Sequence, residues 1–167
     1  MWRLLGVLAA SVSLAAEARI EVRNNEVWLL DDGQARQLTT DGRSKLQAIF
    51  SPSHNQIAYY EQCYQGENCL TSIVILDLEG QRVKAFHVVG EEDSQPCASI
   101  LYIWWPTETK IAAECHLNPS LGEYIETDLN SGKMTRDLRG LWFEPSPDGR
   151  YVAYGVDSSF RATDEPK

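Results

Sequence analysis

The residues of this chain whose types could do chemistry are four cysteines, three histidines and a few clusters of acids. Cys63, Cys69, Cys97 and Cys115 are spaced wrongly for zinc, which is held by short Cys-x₂₋₄-Cys or His-x₃₋₅-His pairs. No Cys-x-x-Cys is present, so thiol–disulfide exchange is not expected. Paired cysteines suit an oxidising compartment, and sequence alone leaves three pairings open. The short loop CYQGENC favours a Cys63–Cys69 staple across a tight turn at Gly66, with Cys97–Cys115 as its complement. His54, His87 and His116 are scattered, one in an expected turn and two on or near expected strands, which fits surface or hydrogen-bonded roles.

The acids point to turns and solvent. Glu91-Glu92-Asp93 brings three carboxylates together, and paired carboxylates can share a proton and cleave glycosidic bonds. Adjacent acids in a loop between strands simply face water, however. Asp31-Asp32-Gly33 and Asp148-Gly149 lack the D-x-D-x-D-G order of a calcium loop and read as turn residues. The G-x-S-x-G of a hydrolase, the H-E-x-x-H of a metalloprotease and both glycine-rich phosphate motifs are missing. The expectation is therefore no catalytic, cofactor-binding or metal-binding residue, and a chain that is not an enzyme by itself.

What would position any binding surface is a repeat. FSPSHNQIAYY at 50–60 and PSPDGRYVAYG at 145–155 are nearly the same phrase, and WPTETKIAA at 105–113 is a degraded third copy. In each, Pro52, Pro106 or Pro147 precedes Ile57, Ile111 or Val152, and an alanine follows. An apolar strand that stops at proline, turns through polar residues and returns is a hairpin. A second phrase lies between these: VWLLDDGQARQL, IVILDLEGQRVKAF and YIETDLNSGKMTRDL each run strand, aspartate (Asp31, Asp77, Asp128), glycine turn (Gly33, Gly80, Gly132), strand. Four short strands recurring every 40–55 residues are the signature of propeller blades. A sandwich or barrel also alternates strands and turns, but need not repeat one turn chemistry at one offset. In the Trp104-Trp105 pair the side chains point to opposite faces: one is expected to fill the gap between blades, the other offers a channel or partner surface, and core packing for both is the default reading.

The ends and the charge bound the setting. Residues 1–18 carry Arg3, an apolar run and small residues before Ala16-Glu17-Ala18 (or Ser13-Leu14-Ala15), the pattern of a secretory signal peptide. The run is too short to span a bilayer. Residues 19–156 hold the repeats, and 157–167 form a polar C-terminal tail. A net charge of −9 over 167 residues without basic clusters disfavours nucleic acid and anionic membrane surfaces as partners.

The phrases at 50–60 and 143–155, with Leu38-Thr39 and the aspartate–glycine turns, resemble the TolB-like, or PD40, class of β-propeller repeats related to the WD-type blade. The resemblance covers residues from about 20 to 156, and the copy at 105–113 departs from it with Thr107-Glu108-Thr109 in place of Asp-Gly. It implies an all-β chain of four-stranded antiparallel blades, with the strand before S-P-D-G innermost. That phase gives two outer strands at about 20–30 and 35–40, full blades at about 46–88 and 99–138, and a terminal inner hairpin at about 140–156. Three blade equivalents make an incomplete ring, because propellers hold four to eight blades. Further blades beyond residue 167, or a homodimer, would complete it. The functional expectation is an exported, periplasmic or secreted, non-catalytic scaffold for a protein or peptide partner, needing no cofactor. The alternative that the resemblance carries is the N-terminal propeller portion of a secreted prolyl-oligopeptidase-like serine peptidase, its catalytic domain beyond this chain.

Overall fold

The computed structural model describes residues 18–63, 70–90, 96–118 and 121–156. Residues 1–17 of the expected signal segment 1–18, Cys69 with residues 64–68, Glu91-Glu92-Asp93 and residues 157–167 lie outside the described residues. All described regular structure is β, in three antiparallel sheets. The first holds β1 (Arg19–Arg23), β2 (Glu26–Asp31) and β3 (Gln34–Gln37). The second is β4 (Lys45–Phe50), β5 (Gln56–Glu61), β6 (Ser72–Asp77) and β7 (Arg82–Phe86), in that spatial order. The third joins β8 (Ile100–Thr107), β9 (Lys110–Asn118), β10 (Leu121–Asp128), β11 (Met134–Pro145) and β12 (Val152–Gly155).

Two strand boundaries differ from the sequence reading. The run at 20–30 is a hairpin of two strands, because Asn24 and Asn25 both adopt left-handed φ (51° and 65°) and close a two-residue turn. Asp32 and Gly33 (46° and 74°) do the same between β2 and β3. The first blade therefore contributes three strands, lacking the innermost, where two had been expected. The terminal hairpin is also not a separate element. β11 pairs with β10 through Gly140 and with β12 from Leu141 onward, without a linker such as 87–99 between. Its second half lies over the blade's own face: Phe143 packs with Ala112 and Tyr124, and the Arg150 carbonyl accepts a hydrogen bond from Arg136.

The repeated phrase is one hydrogen-bonded turn made twice. The Ser51 amide donates to the Gln56 carbonyl and the Ser146 amide to that of Tyr151, both at 2.9 Å. Each serine hydroxyl accepts from the amide five residues on, Gln56 or Tyr151. Three residues after the serine the backbone is left-handed, at His54 (φ 58°) and Gly149 (φ 66°). His54 is thus a turn residue, its ring stacked on Phe50 at 4.8 Å. The third copy has Trp105 where the others have serine, and turns tightly between Thr107 and Lys110.

Burial follows the two-residue period of a strand. Ile57, Tyr59, Val74 and Leu76 pack with Val27, Leu29 and Leu38 of the first blade. Ala58, Tyr60, Ile73 and Ile75 point the other way, into a cluster with Ile103, Ile111 and Ile125. Trp105 joins that second cluster while Trp104 lies tilted against Tyr124 in a third, so the two tryptophans do lie on opposite faces. Outer turns tie successive blades in one way: Arg36 donates to the Leu78 carbonyl, and Lys84 to that of Leu129. Cys97 and Cys115 are bonded (Cα–Cα 5.8 Å), fastening the entry of β8 to β9.

Gly149 separates backbone strain from steric clash. A Cβ there would sit 2.5 Å from the Pro106 carbonyl oxygen, whereas at Gly33 nothing lies within 4 Å. Both are left-handed, so alanine costs about 1 kcal/mol of backbone strain at either site. Gly149→Ala adds the clash and should lower unfolding free energy by a further ~1–2 kcal/mol relative to Gly33→Ala in chemical denaturation.

Candidate functional site

A concavity of about 760 Å³ opens where the first two blades meet, at the end bearing the β1–β2 turn and the 38–44 linker. Its wall is built on a polar column that rises from the core between those blades. Lys45 lies at the base with a fully buried side chain, beside Asp41 and 3.3 Å from Glu26, its ammonium 6.0 Å from the centroid of the Tyr59 ring. Glu26 in turn accepts from the Thr39 hydroxyl and from the Gly42 amide at 2.6 Å. A buried cation is tolerable only when paired and hydrogen-bonded, and this one pins the linker between blades to both of them. Burial works to raise Glu26 and Asp41; Thr39, the Gly42 and Arg43 amides and Lys45 outweigh it, and both carboxyls titrate below their ordinary range.

Glu61 ends β5 on the same face as Ile57 and Tyr59, and strand alternation therefore carries it inward. Its side chain is 9% exposed and receives two guanidinium groups: Arg43 Nη1 at 3.2 Å and Arg82 Nη2 at 3.5 Å. Both arginines are open to solvent at the cleft, 64% and 49% exposed. His87 lines the same cleft, its Nδ1 3.1 Å from the Thr71 carbonyl, and Leu70, Ala85 and Phe86 supply apolar wall. This surface can hold a polar or anionic group beside apolar side chains.

Of the residues singled out in the sequence, Cys63 and His87 line this cleft. His54 sits in its turn at the opposite end of β5, and His116 is exposed near the far end of β9. Among the described residues no three His, Cys, Asp or Glu side chains are gathered to hold a metal ion. Sequence reasoning missed Arg43, Glu61 and Arg82; the available signal was Glu61, an acid at an inward position of an apolar strand. The same signal marks Glu114, which follows Ala112 on the face that carries Tyr124 and Phe143. Glu114 is 7% exposed, and burial alone raises its carboxyl above the ordinary range.

No family model matches this sequence, and no curated protein matches it. Solved structures do. TolB from Acinetobacter baumannii is similar over 81% of this chain and 34% of its own, with 19% identity and a TM-score of 0.50. The β-propeller domain of the Trilobed protease from Pyrococcus furiosus is similar over 75% of this chain and 40% of its own, with 12% identity and a TM-score of 0.44. The chain thus spans about a third of the TolB chain. At these identities the likeness is one of fold: this is an all-β chain of propeller blades, fewer than a closed ring contains.

Two stability outcomes follow from the buried charges. Lys45→Met strands Glu26 and should cost about 3 kcal/mol in urea denaturation at neutral pH. Because Glu26 and Asp41 titrate low when folded, their contribution is present above the ordinary carboxylate pKa and is lost as pH falls through the lowered values. Glu114 has the opposite sign: its raised pKa means that stability is intact in acid and lost as pH rises from the ordinary value through the raised one. Glu114→Gln should therefore stabilise the chain at pH 7 by on the order of 1 kcal/mol, and leave it unchanged near pH 3.

Proposed function

We propose that this chain is an exported, non-catalytic propeller scaffold that binds a protein or peptide segment in the cleft between its first two blades. The observation that carries the reading is the cleft itself: two exposed arginines held on a buried glutamate, with apolar wall beside them. Binding groups borne on linkers and strand ends above a packed scaffold are the common arrangement for recognition. The Cys97–Cys115 bond favours an oxidising compartment, periplasmic or extracellular, in keeping with the signal read at residues 1–18. Among the described residues no helix is long and apolar enough to cross a membrane. A chain of charge −9 suits a protein partner better than nucleic acid.

Peptide display against the folded, oxidised chain tests this reading. Selected peptides should lose about tenfold or more in affinity against Arg82→Glu. They should bind normally to Arg150→Glu, which alters an exposed arginine in the β11–β12 turn, away from the cleft. Selected peptides indifferent to Arg82→Glu would overturn the assignment of the cleft. Failure to select any peptide would overturn the scaffold reading.

A further inference from the structure

We propose that the cleft recognises a carboxylate, borne by the C-terminus or by an acidic side chain of the bound segment; this rests on the cleft being the binding site and narrows its ligand chemistry. Arg43 comes from the linker before β4 and Arg82 from β7, so two separate segments deliver guanidinium groups to one place. A guanidinium carries five N–H donors in a planar fork and accepts nothing. Glu61 takes one contact from each, and both side chains stay open to solvent at the cleft. The single buried carboxylate fixes where the two cations stand without neutralising both.

The charges also limit what fits. Arg43 and Arg82 against Glu61 leave the lining with one positive charge, in a chain whose total is −9. Behind the wall, Lys45 is more than matched by Glu26 and Asp41. Attraction therefore comes from the guanidinium forks at short range and not from a broad positive field. A planar carboxylate, with two oxygens facing one fork, suits this; a polyanion, which gains from many dispersed cations, does not. Leu70, Ala85 and Phe86 border the arginines and offer apolar contact to the residue that bears the carboxylate.

The test follows the arginine Nε–Hε resonances of the ¹⁵N-labelled, oxidised chain during titration. The probes are N-acetyl-leucine, N-acetyl-leucinamide and the α-amide of N-acetyl-glutamate. N-acetyl-leucine, the glutamate derivative or both should shift the Arg43 and Arg82 signals saturably with a Kd on the order of 1 mM. N-acetyl-leucinamide should bind about tenfold or more weakly than whichever acid binds. The glutamate derivative tells the sources apart: binding by it alone assigns a side-chain carboxylate, and binding by N-acetyl-leucine alone assigns a C-terminus. Arg43→Gln and Arg82→Gln should each bring the acids down to the affinity of the amide. Binding of N-acetyl-leucinamide as tight as that of either acid would overturn the carboxylate inference while leaving the peptide-binding reading in place. So would a display-selected peptide that binds in the cleft while none of the three probes shifts either arginine. If neither peptides nor probes bind, both readings fall together.

Discussion

Strands that are apolar on both faces must be covered twice, and that constraint organises this chain. β5 and β6 bury Ile57, Tyr59, Val74 and Leu76 on one side and Ala58, Tyr60, Ile73 and Ile75 on the other. A sheet of this kind is stable only as the filling between two neighbours, and it has them in the first blade and in the β8–β11 sheet. The third sheet repeats the demand: Ile111, Ala113 and Ile125 face inward, while Ala112 and Tyr124 are covered by Phe143 from the terminal hairpin. Glycines at Gly122 and Gly140, paired across β10 and β11, leave room for the rings of Phe143 and Tyr154 to lie against the sheet. Stacking, rather than closure of any one sheet, is what holds the described fold together.

Stacking also creates the polar chemistry. Where one blade passes the chain to the next, linkers cross the ends of buried strands, and polar groups there must find partners away from water. The Lys45, Glu26, Asp41 and Thr39 network meets that demand at the first junction. At the second, a bulge at Gln47 (φ 34°) lets its side-chain amide pair twice with the Ile103 backbone, accepting from the amide at 2.7 Å and donating to the carbonyl at 3.0 Å. The equivalent position of the terminal hairpin is Trp142, also left-handed at φ 55° beside a register shift, and 80% exposed. The same backbone device thus bridges two blades in one place and presents an indole to solvent in the other.

Much of the architecture was legible because each blade repeats its local chemistry. Serine–proline turns, aspartate–glycine turns and two-residue alternation all favour one answer, and agreement across levels is what makes a repeat readable. The hairpin at Asn24-Asn25 was hidden inside a stretch that reads as one strand, although two consecutive asparagines are residues that tolerate left-handed φ. The continuity of β11 was hidden for another reason: residues 134–145 read as a strand followed by a new hairpin, whereas one strand pairs with β10 and then β12 while Phe143 packs over Ala112 and Tyr124. The cleft was the least legible part. Arg43, Glu61 and Arg82 lie on a linker and two different strands, and nothing in their spacing brings them together. Composition and motif searches find chemistry that is local in sequence, whereas this site is made where a linker meets two strands of one folded sheet.

Amide hydrogen exchange on the folded, oxidised chain tests the two-sided burial most directly. The account requires that β5, β6, β9 and β10, each hydrogen-bonded to strands on both sides, exchange slowest and at one common rate set by global unfolding. The edge strands β3, β7 and β12 should exchange faster. Exchange in β5 and β6 as fast as in β3 would mean that the second sheet lacks a covering neighbour, and would contradict the stacked arrangement on which the cleft depends.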